Sequence, residues 1–222
     1  MGISMGVFLL FIANIAFSGD VASNAAVFSA IYERGEWANG AEANNKWTSG
    51  SGSNPKNARV YIAYLQNYLA DHEIKSVVDL GCGDWQIGRC INWDGVKYLG
   101  IDVVDGVIEE NTKKFSAPNI TFLKADGTEY ELPKADLLIC KDVLQHLPFK
   151  DIQNIVKQFN KFKHCIVIND VDPIRLTCEN IDIPRGHYRC LDIKKSPFNL
   201  LGRKVLSYAS GDETKQLLLI KN

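Results

Sequence analysis

Short apolar runs alternate with segments of helical periodicity from Ser76 onward, and this alternation restricts the chain to few folds. The apolar runs predict five strands, at residues 76–80, 97–103, 120–126, 135–142 and 164–170. Helices are predicted at 105–115 and 149–162, and a short helix or a helix end at 89–93. Strands that alternate with helices form a doubly wound parallel sheet, and the nearly continuous apolar character of the first, fourth and fifth runs indicates burial on both faces.

The C-terminal part of the chain breaks this alternation. Residues 203–210 and 214–222 each have the composition of a strand, and the sequence Gly-Asp-Glu at 211–213 predicts a tight turn between them. We therefore expect an α/β, Rossmann-like, doubly wound sheet of seven strands that is mostly parallel and ends in an antiparallel hairpin.

The segments before the sheet divide the chain into a hydrophobic leader at 1–18, a helical and loop segment at 19–70, and a main domain at 71–222. Residues 6–17 are apolar except for Asn14, a stretch too short for a membrane span of about 20 residues but as long as the apolar part of a secretory signal. No lysine or arginine precedes this stretch, so the alternatives are an amphiphilic helix, a mis-set start codon or an anchor at the inner face of a membrane. A signal peptide predicts secretion, and its absence predicts a cytoplasmic protein.

Residues 48–58 are rich in glycine and serine, and together with Trp47 they predict either a flap that folds over a cofactor or a plain linker. Residues 58–72 carry apolar side chains near helical spacing, which predicts a helix lying on the sheet. Tyr32 and Trp37 lie further upstream, where we expect them to line a substrate pocket or to pack in the core.

The charge and the cysteines bear on partners and metals. Twenty-five basic and 26 acidic residues give a formal net charge of -1, so no basic field favours nucleic acid, and none is expected as a partner. The six cysteines form no CxxC pair and lie close to no histidine in a ligand spacing, so no metal site is predicted. Most should be free thiols, and Cys178 with Cys190 is the one candidate disulfide.

A glycine turn follows the first strand in "DLGCGDWQIG", from Asp79 to Gly88. The phosphate-binding pattern GxxxxGK[ST] is absent, and the third position of the dinucleotide pattern GxGxxG falls on Gln86. Asp79 precedes Gly81 by two residues, where a carboxylate would repel a pyrophosphate and attract an ammonium group. These features favour S-adenosylmethionine, which has an ammonium group and no phosphate.

Two more acids stand at predicted strand ends. Asp102 ends the second strand, where a carboxylate accepts hydrogen bonds from ribose hydroxyls in dinucleotide folds. Asp126 ends the third strand, where a carboxylate beside a backbone N–H suits the amino edge of adenine. Because ligands bind at the carboxyl ends of strands in open α/β sheets, these acids are expected to face one crevice with Asp79.

From residue 76 to 222 the chain resembles the class I S-adenosylmethionine-dependent methyltransferases. The resemblance is carried by "VVDLGCGDWQIG", "YLGIDV", "FLKADG" and "ADLLICKDVLQHLP". It implies an S-adenosylmethionine cofactor. The predicted cofactor-binding residues are Asp79, Gly81, Cys82, Gly83, Asp102, Val103, Ala125, Asp126 and Lys141. The sequence departs from the family pattern at Trp85, which stands where the third glycine of the first motif is usual. A narrower resemblance, through "IYERGEW" and "GHYRCLDIKKSPFNL", is to small bacterial and viral enzymes of this class, some linked to glycan modification.

The segment after the fourth strand contains candidate catalytic groups. If "DVLQHL" forms a helical turn, Asp142 and His146 share one face and make a carboxylate–imidazole pair that serves as a general base. The alternative is a histidine that only hydrogen-bonds the loop. Asp170, at the end of the fifth strand, is the alternative catalytic residue.

Downstream, "PRGHYRC" supplies Arg185, His187 and Arg189, which predict either recognition of an anionic or sugar substrate or a solvated basic loop. The expected function is S-adenosylmethionine-dependent O-methylation of a small molecule or glycan. The rival hypotheses are a non-catalytic sensor or scaffold that binds S-adenosylmethionine or S-adenosylhomocysteine, and an NAD-dependent oxidoreductase.

Overall fold

The computed structural model describes residues 22–38, 47–174 and 179–222, and a seven-stranded sheet forms its centre. The strands are β1 (Ser76–Leu80), β2 (Lys97–Asp102), β3 (Ile120–Lys124), β4 (Ala135–Lys141), β5 (Phe162–Asp170), β6 (Arg203–Ser210) and β7 (Glu213–Lys221). The helices are α1 (Asn24–Glu33), α2 (Arg59–Asp71), α3 (Asp105–Phe115) and α4 (Phe149–Val156).

The strand order is β3-β2-β1-β4-β5-β7-β6. Strands β1 to β5 pair in parallel, whereas β7 is antiparallel to both β5 and β6. Gly211, with φ of +61°, supplies the left-handed backbone that the turn between β6 and β7 requires. The predicted α/β class, the seven strands and the terminal antiparallel hairpin are therefore confirmed.

Both faces of the sheet are buried, because successive side chains of a strand point to opposite faces. Val77 and Leu137 pack with α2 on one face, and their neighbours Val78 and Leu138 pack with α4 on the other. All four side chains are 2% exposed or less. This two-sided burial explains the nearly continuous apolar runs of the central strands.

The helices differ from the prediction in their extent. Helix α3 has the predicted bounds, but only a 3-10 turn at Gly88–Cys90 separates β1 from β2. The helix predicted at 149–162 ends at Val156, and a 3-10 turn at Phe159–Lys161 follows. Phe159 is buried beneath the sheet, and this turn brings the chain directly into β5.

Helix α2 lies on the sheet as predicted, and its buried face combines aliphatic residues at helical spacing with tyrosines. The side chains that it buries are those of Tyr61, Leu65, Tyr68 and Leu69. Val60, in contrast, is 50% exposed. Tyrosine rings carry enough apolar surface to form part of a core face. A count of aliphatic residues alone therefore does not locate the buried face of α2.

Two predictions lie outside the described residues: the leader at 1–18, and the disulfide between Cys178 and Cys190. The free thiols that the structure describes include Cys82, Cys90, Cys140 and Cys165. Among the described residues, no helix combines the length and apolar character needed to cross a bilayer.

Candidate functional site

A cavity of about 320 Å³ opens at the carboxyl ends of β1, β2 and β4. The strand order reverses between β1 and β4, which is the usual ligand position in an open α/β sheet. The volume lies within the range of about 300–1,000 Å³ that is typical of ligand pockets. Its walls come from the loop after β1, from residues 125–128 and 141–147, from α1, and from residues 49–53, which we call the flap.

The glycine turn after β1 brings bare backbone to the cavity wall. Gly81 has φ of +73° and Gly83 has φ of +54°, a region that costs other residues about 1–2 kcal/mol. The backbone N–H groups of Gly81 and Cys82 both donate to Ile101 O, at 2.7 and 3.0 Å, which anchors the turn to β2. A Cβ on Gly81 would lie 2.2 Å from Val143 Cγ2, so no larger residue fits there.

Trp85, which replaces the usual third glycine, faces the core instead of the cavity. Its φ of +57° reproduces the backbone that a glycine would adopt. The indole is buried and lies against the rings of Tyr98, Phe115 and Phe122, with ring centroids 5.0–5.7 Å apart. The loop therefore accommodates a bulky residue at this position without closing the cavity.

The first end of the cavity, the β2–β3 end, consists of Asp102, Val103, Ala125 and Asp126, all of which line it. Asp102 Oδ2 accepts from the N–H of Gly83 and Oδ1 from that of Val104, both at 3.0 Å. Burial raises the pKa of Asp102 above its ordinary value, although these N–H groups oppose the shift. Each oxygen keeps a lone pair for a further donor.

Helix α1 closes the β2–β3 end from above. Asn24 Nδ2 donates to Asp126 Oδ2 at 3.0 Å, and Thr128 donates to Asp126 Oδ1 through its N–H at 2.9 Å and its hydroxyl at 2.7 Å. Asn24 is buried, and its Oδ1 has no hydrogen-bond partner within the described part of the chain. Asp126 is thus fixed in place next to an unsatisfied acceptor.

The flap crosses the cavity and is tied down at several points. Tyr32 OH lies 2.7 Å from Ser49 Oγ, which also accepts from the N–H of Asp84 at 2.8 Å. Lys141 Nζ donates to Gly52 O at 2.9 Å. At the start of the flap, Trp47 lies so close to Gly106 that a Cβ there would be 2.1 Å from the indole. The glycine-rich and serine-rich segment is therefore ordered over the site.

Comparison with known proteins identifies the domain. A family model described as a methyltransferase domain matches residues 77–162, which run from β1 to the start of β5. Residues 77–162 therefore match a methyltransferase domain, and the fold around them is that of the class I S-adenosylmethionine-dependent methyltransferases. The S-adenosylhomocysteine complex of magnesium protoporphyrin IX methyltransferase from Synechocystis PCC 6803 has the same fold, with a TM-score of 0.62 and 14% identity. That comparison covers 89% of this chain and 98% of the other.

Two further comparisons delimit the likeness. The N-methyltransferase NodS from Bradyrhizobium japonicum WM9 shares the fold with a TM-score of 0.54 and 16% identity, over 75% of this chain and 95% of that chain. An uncharacterized RNA methyltransferase of Clostridium acetobutylicum is 31% identical over 77 residues, which cover 33% of this chain and 17% of that protein. The matched segment is therefore under a fifth of that relative's length.

The chemistry of the methyltransferase cavity fits S-adenosylmethionine. Asp102 and Asp126 offer carboxylate acceptors at the β2–β3 end, as its ribose hydroxyls and adenine amine require. Asp79 and Cys82 line a smaller adjoining cavity of about 40 Å³, which shares Gly81 and Lys141 with the large one. Burial raises the pKa of Asp79 to about 6, against the opposing effects of the Tyr98 hydroxyl (2.7 Å away) and Lys141.

We call the opposite part of the cavity, formed by Trp37, Asp142, His146, Tyr188 and Glu213, the β4 end. A chain of buried charges supports it. Lys215 Nζ lies 2.6 Å from Asp142 Oδ1 and 2.5 Å from Glu213 Oε2, and Lys141 is paired with Asp142 Oδ2. Burial opposes ionisation of Asp142, but the two lysines outweigh it and hold its pKa at about 2. Asp142 is therefore too weak a base to take a proton from a hydroxyl group.

The α-helical turn that was predicted to put Asp142 and His146 on one face does not form. Asp142 has φ of +58° and precedes a 3-10 turn at Leu144–His146, so the two side chains do not stack as on an α-helix. The carboxylate binds lysines, and His146 Nδ1 instead lies 3.1 Å from His187 O. A carbonyl only accepts, so Nδ1 carries the proton and Nε2 keeps its lone pair.

The environment keeps His146 neutral. Burial lowers its pKa to about 4, against opposing contributions from His187 O and Asp142. The ring centroid of Trp37 is 5.4 Å from that of His146, and the ring centroid of Tyr188 is 5.8 Å away on another side. Gln145 Nε2 approaches His146 Nε2 at 3.4 Å, a long contact that leaves the lone pair accessible to a stronger donor.

Asp170 does not line the cavity, which contradicts its predicted placement as an alternative base. Its side chain is fully buried, and its Oδ1 accepts from the N–H groups of Asp172 and Thr214, at 2.9 and 3.1 Å. Tyr188 OH donates to its Oδ2. Asp170 thus positions Tyr188, which lines the cavity.

The predicted basic substrate contacts are also absent from the cavity wall. Arg185 binds Asp151 through Nε at 2.7 Å, and Arg189 donates to Leu147 O at 2.9 Å while lying over the ring of Phe149. Both guanidinium groups therefore hold the segment of residues 185–189 against α4. The same segment brings Tyr188 into the cavity.

Several residues that line the cavity were not predicted as site residues from the sequence. They are Asn24, Phe28, Thr128, Gln145, Tyr188, Glu213 and Lys215. The hairpin carries one signal, because Glu213 and Lys215 are charged residues two apart at the start of a strand whose later part, residues 217–220, is apolar. Such residues share one face, and here that face meets the cavity.

Proposed function

We propose that the chain transfers a methyl group from S-adenosylmethionine to a hydroxyl oxygen of a small molecule or glycan. The observation that carries this proposal is the state of His146. Its Nδ1–H is held by His187 O at 3.1 Å, its pKa of about 4 keeps it neutral at physiological pH, and it lines the cavity. A neutral imidazole whose Nε2 makes only a long contact with Gln145, at 3.4 Å, is suited to accept the proton that a hydroxyl loses on methylation.

The bound cofactor supplies a methyl group that is already activated on a sulfonium. The chain's own residues then have three tasks: alignment, exclusion of water and proton acceptance. Asp102 and Asp126 hold the adenosine part, and the bare backbone of Gly81 and Gly83 borders the rest. The flap covers the cavity, and His146 Nε2 receives the hydroxyl proton as the oxygen gains the methyl group.

A non-catalytic sensor or scaffold is the second candidate. Both carboxylates that could assist His146 are engaged elsewhere, Asp142 by lysines and Asp170 by Tyr188 and backbone N–H groups. A domain that only binds S-adenosylmethionine needs no general base. The engagement of both carboxylates elsewhere is therefore compatible with a sensor or scaffold. The absence of turnover despite tight cofactor binding would favour this candidate.

The test begins with titration calorimetry of S-adenosylmethionine and S-adenosylhomocysteine into the full chain. We expect micromolar binding that is lost in Asp102→Ala and retained in Asp105→Ala, a matched control whose carboxylate is 61% exposed and pairs with Lys124. Failure of the folded protein to bind either compound would overturn the cofactor assignment.

The second step screens hydroxyl-bearing acceptors with radiolabelled cofactor. We expect an O-methylated product, and a loss of kcat of about 10²- to 10⁴-fold in His146→Asn with cofactor affinity retained. Unchanged turnover in that variant would remove His146 from the reaction. Methylation at nitrogen alone would refute the O-methylation proposal while leaving the domain assignment intact.

A further inference from the structure

The β4 end of the cavity presents carboxylates, with the lysines beneath them. The side chains of Asp142 and Glu213 are 16% and 22% exposed, whereas those of Lys141 and Lys215 are 8% and 1% exposed. Charged partners of opposite sign thus balance in number, and all four line the cavity, but the carboxylates are the more exposed members. A ligand entering here meets oxygen acceptors first.

Both lysines are already paired with carboxylates, so neither is available to pair with an anionic ligand. Lys215 lies between Asp142 and Glu213 at 2.6 and 2.5 Å, and burial is outweighed by these carboxylates, which raise its pKa. Lys141 is paired with Asp142 and donates to Gly52 O at 2.9 Å. A phosphate or carboxylate on the ligand would have to displace one of these buried partners.

The other charged groups around the β4 end do not change this balance. His146 is neutral because its pKa is about 4. Glu36 also lines the cavity, and its 2.6 Å pair with Arg34 is formed at the exposed surface. Arg185 pairs with Asp151 outside the cavity wall, and Arg189 does not line the cavity, although its charge helps to lower the pKa of His146. Among the described lining residues, acids therefore outnumber cations.

One carboxylate oxygen is available for recognition. Glu213 lines the cavity and binds Lys215 through Oε2, which leaves the lone pairs of its other oxygen, Oε1, to accept from a donor group. The Trp37 indole and the Tyr188 ring, which is 39% exposed, border the same space through their contacts with His146. This combination offers an apolar ring surface beside an acceptor for O–H or N–H groups.

We propose that the methyl acceptor carries no negative charge where it enters the β4 end, and that Glu213 recognises it by accepting a hydrogen bond from one of its donor groups. The identification of this ligand as the methyl acceptor rests on the proposed function. The statement that the β4 end disfavours negative charge concerns only the residues of the chain. It rejects phosphorylated and carboxylated acceptors, nucleic acids included. Glu213 is a specificity-determining residue in this account.

The first experiment measures the sign of the local field without any turnover. The chain has four tryptophans, of which Trp85 and Trp93 are buried, so Trp37 is the main quenchable fluorophore in a Trp47→Phe background. Its fluorescence is quenched with iodide, caesium and acrylamide. Because the two carboxylates are more exposed than the two lysines, we expect iodide to quench less, relative to acrylamide, than caesium does. A change of one charge about 8 Å away in water alters local ion concentration by about twofold.

The variant Glu213→Gln should raise iodide quenching of Trp37 by about twofold, because it removes one negative charge and leaves Lys215 less neutralised. The matched control is Glu131→Gln, whose carboxylate is 88% exposed and pairs with Lys161 away from the cavity. This control variant should leave the ratio of iodide quenching to caesium quenching unchanged. Iodide quenching equal to or stronger than caesium quenching in the parent protein would overturn the inference.

The second experiment uses matched acceptors that differ only in charge, such as methyl glucoside, glucosamine and glucose 6-phosphate, or catechol and protocatechuate. Within any series that is methylated, the anionic member should have the lowest kcat/KM, and Glu213→Gln should narrow the difference. Preference for an anionic member would contradict the inference. If no series is methylated although the cofactor binds, the proposed function fails, and the quenching ratios still decide the charge statement.

Discussion

Asp142 provides the sharpest test of the distinction between a catalytic carboxylate and a structural one. In Asp142→Asn the buried Lys215, whose side chain is 1% exposed, keeps only Glu213 as a charged partner, and Lys141 loses its pair. Removing one partner of a buried ion pair costs about 3–5 kcal/mol. Because Glu213 still neutralises Lys215, we expect a loss of about 3 kcal/mol in the free energy of unfolding, near the lower limit of that range.

The pKa of Asp142 gives an independent magnitude. Its value of about 2 lies below the ordinary 3.8, so ionisation stabilises the folded state by about 2 kcal/mol above pH 4, at about 1.4 kcal/mol for each pKa unit. This contribution is lost as the pH falls from about 4 toward 2, since the depressed pKa belongs to the folded state. In Asp142→Asn the unfolding free energy should therefore depend less on pH over that interval.

Urea denaturation followed by circular dichroism at pH 7 measures the change, and Asp105→Asn serves as the exposed control with an expected loss within about 0.5 kcal/mol. The double variant Asp142→Asn with Lys141→Met should recover part of the stability, because it removes the buried charge that the single variant leaves without its carboxylate partner. A loss below about 1 kcal/mol in the single variant, or a further loss in the double variant, would refute the buried ion-pair reasoning.

Three further predictions concern the cavity. The acid limb of kcat should lie near pH 4, because burial lowers the pKa of His146 to about 4; a limb near the ordinary histidine value would show a different base. Gly81→Ala should abolish S-adenosylhomocysteine binding in calorimetry, since its Cβ would lie 2.2 Å from Val143 and its φ is +73°; retained affinity would mean that the turn has another path. Trp85→Ala should lower the free energy of unfolding by about 3–5 kcal/mol in urea titrations, as core truncation does, and cofactor affinity in the protein that remains folded should change little.

The fold was predictable because its signals are local. Each strand of the parallel part is visible in the sequence as an apolar run. The glycine turn after β1 needs left-handed backbone at Gly81 and Gly83, which only certain residues tolerate. The strand-end acids Asp102 and Asp126 follow from the same logic, since the carboxyl ends of parallel strands meet at one edge. These two residues lie at the cavity as expected.

The predicted general-base pair failed because spacing assumed a helix that the chain does not form. Asp142 adopts φ of +58°, and a 3-10 turn replaces the α-helical turn that would have put it beside His146. Besides its neighbour Lys141, it pairs with Lys215, which is more than seventy residues away along the chain and reaches Asp142 because β7 pairs with β5. No local pattern reports such a contact.

The sequence by itself determined the order of strands and helices, the glycine turn and the acids at the strand ends, because these depend on local periodicity and backbone preference. Only the tertiary structure decided which charges meet. It brought the hairpin residues Glu213 and Lys215 to the cavity, withdrew Asp170 below its surface, and engaged Arg185 and Arg189 elsewhere. The physical reason is that the ionisation and role of a buried side chain depend on neighbours that are distant in sequence, which packing alone selects.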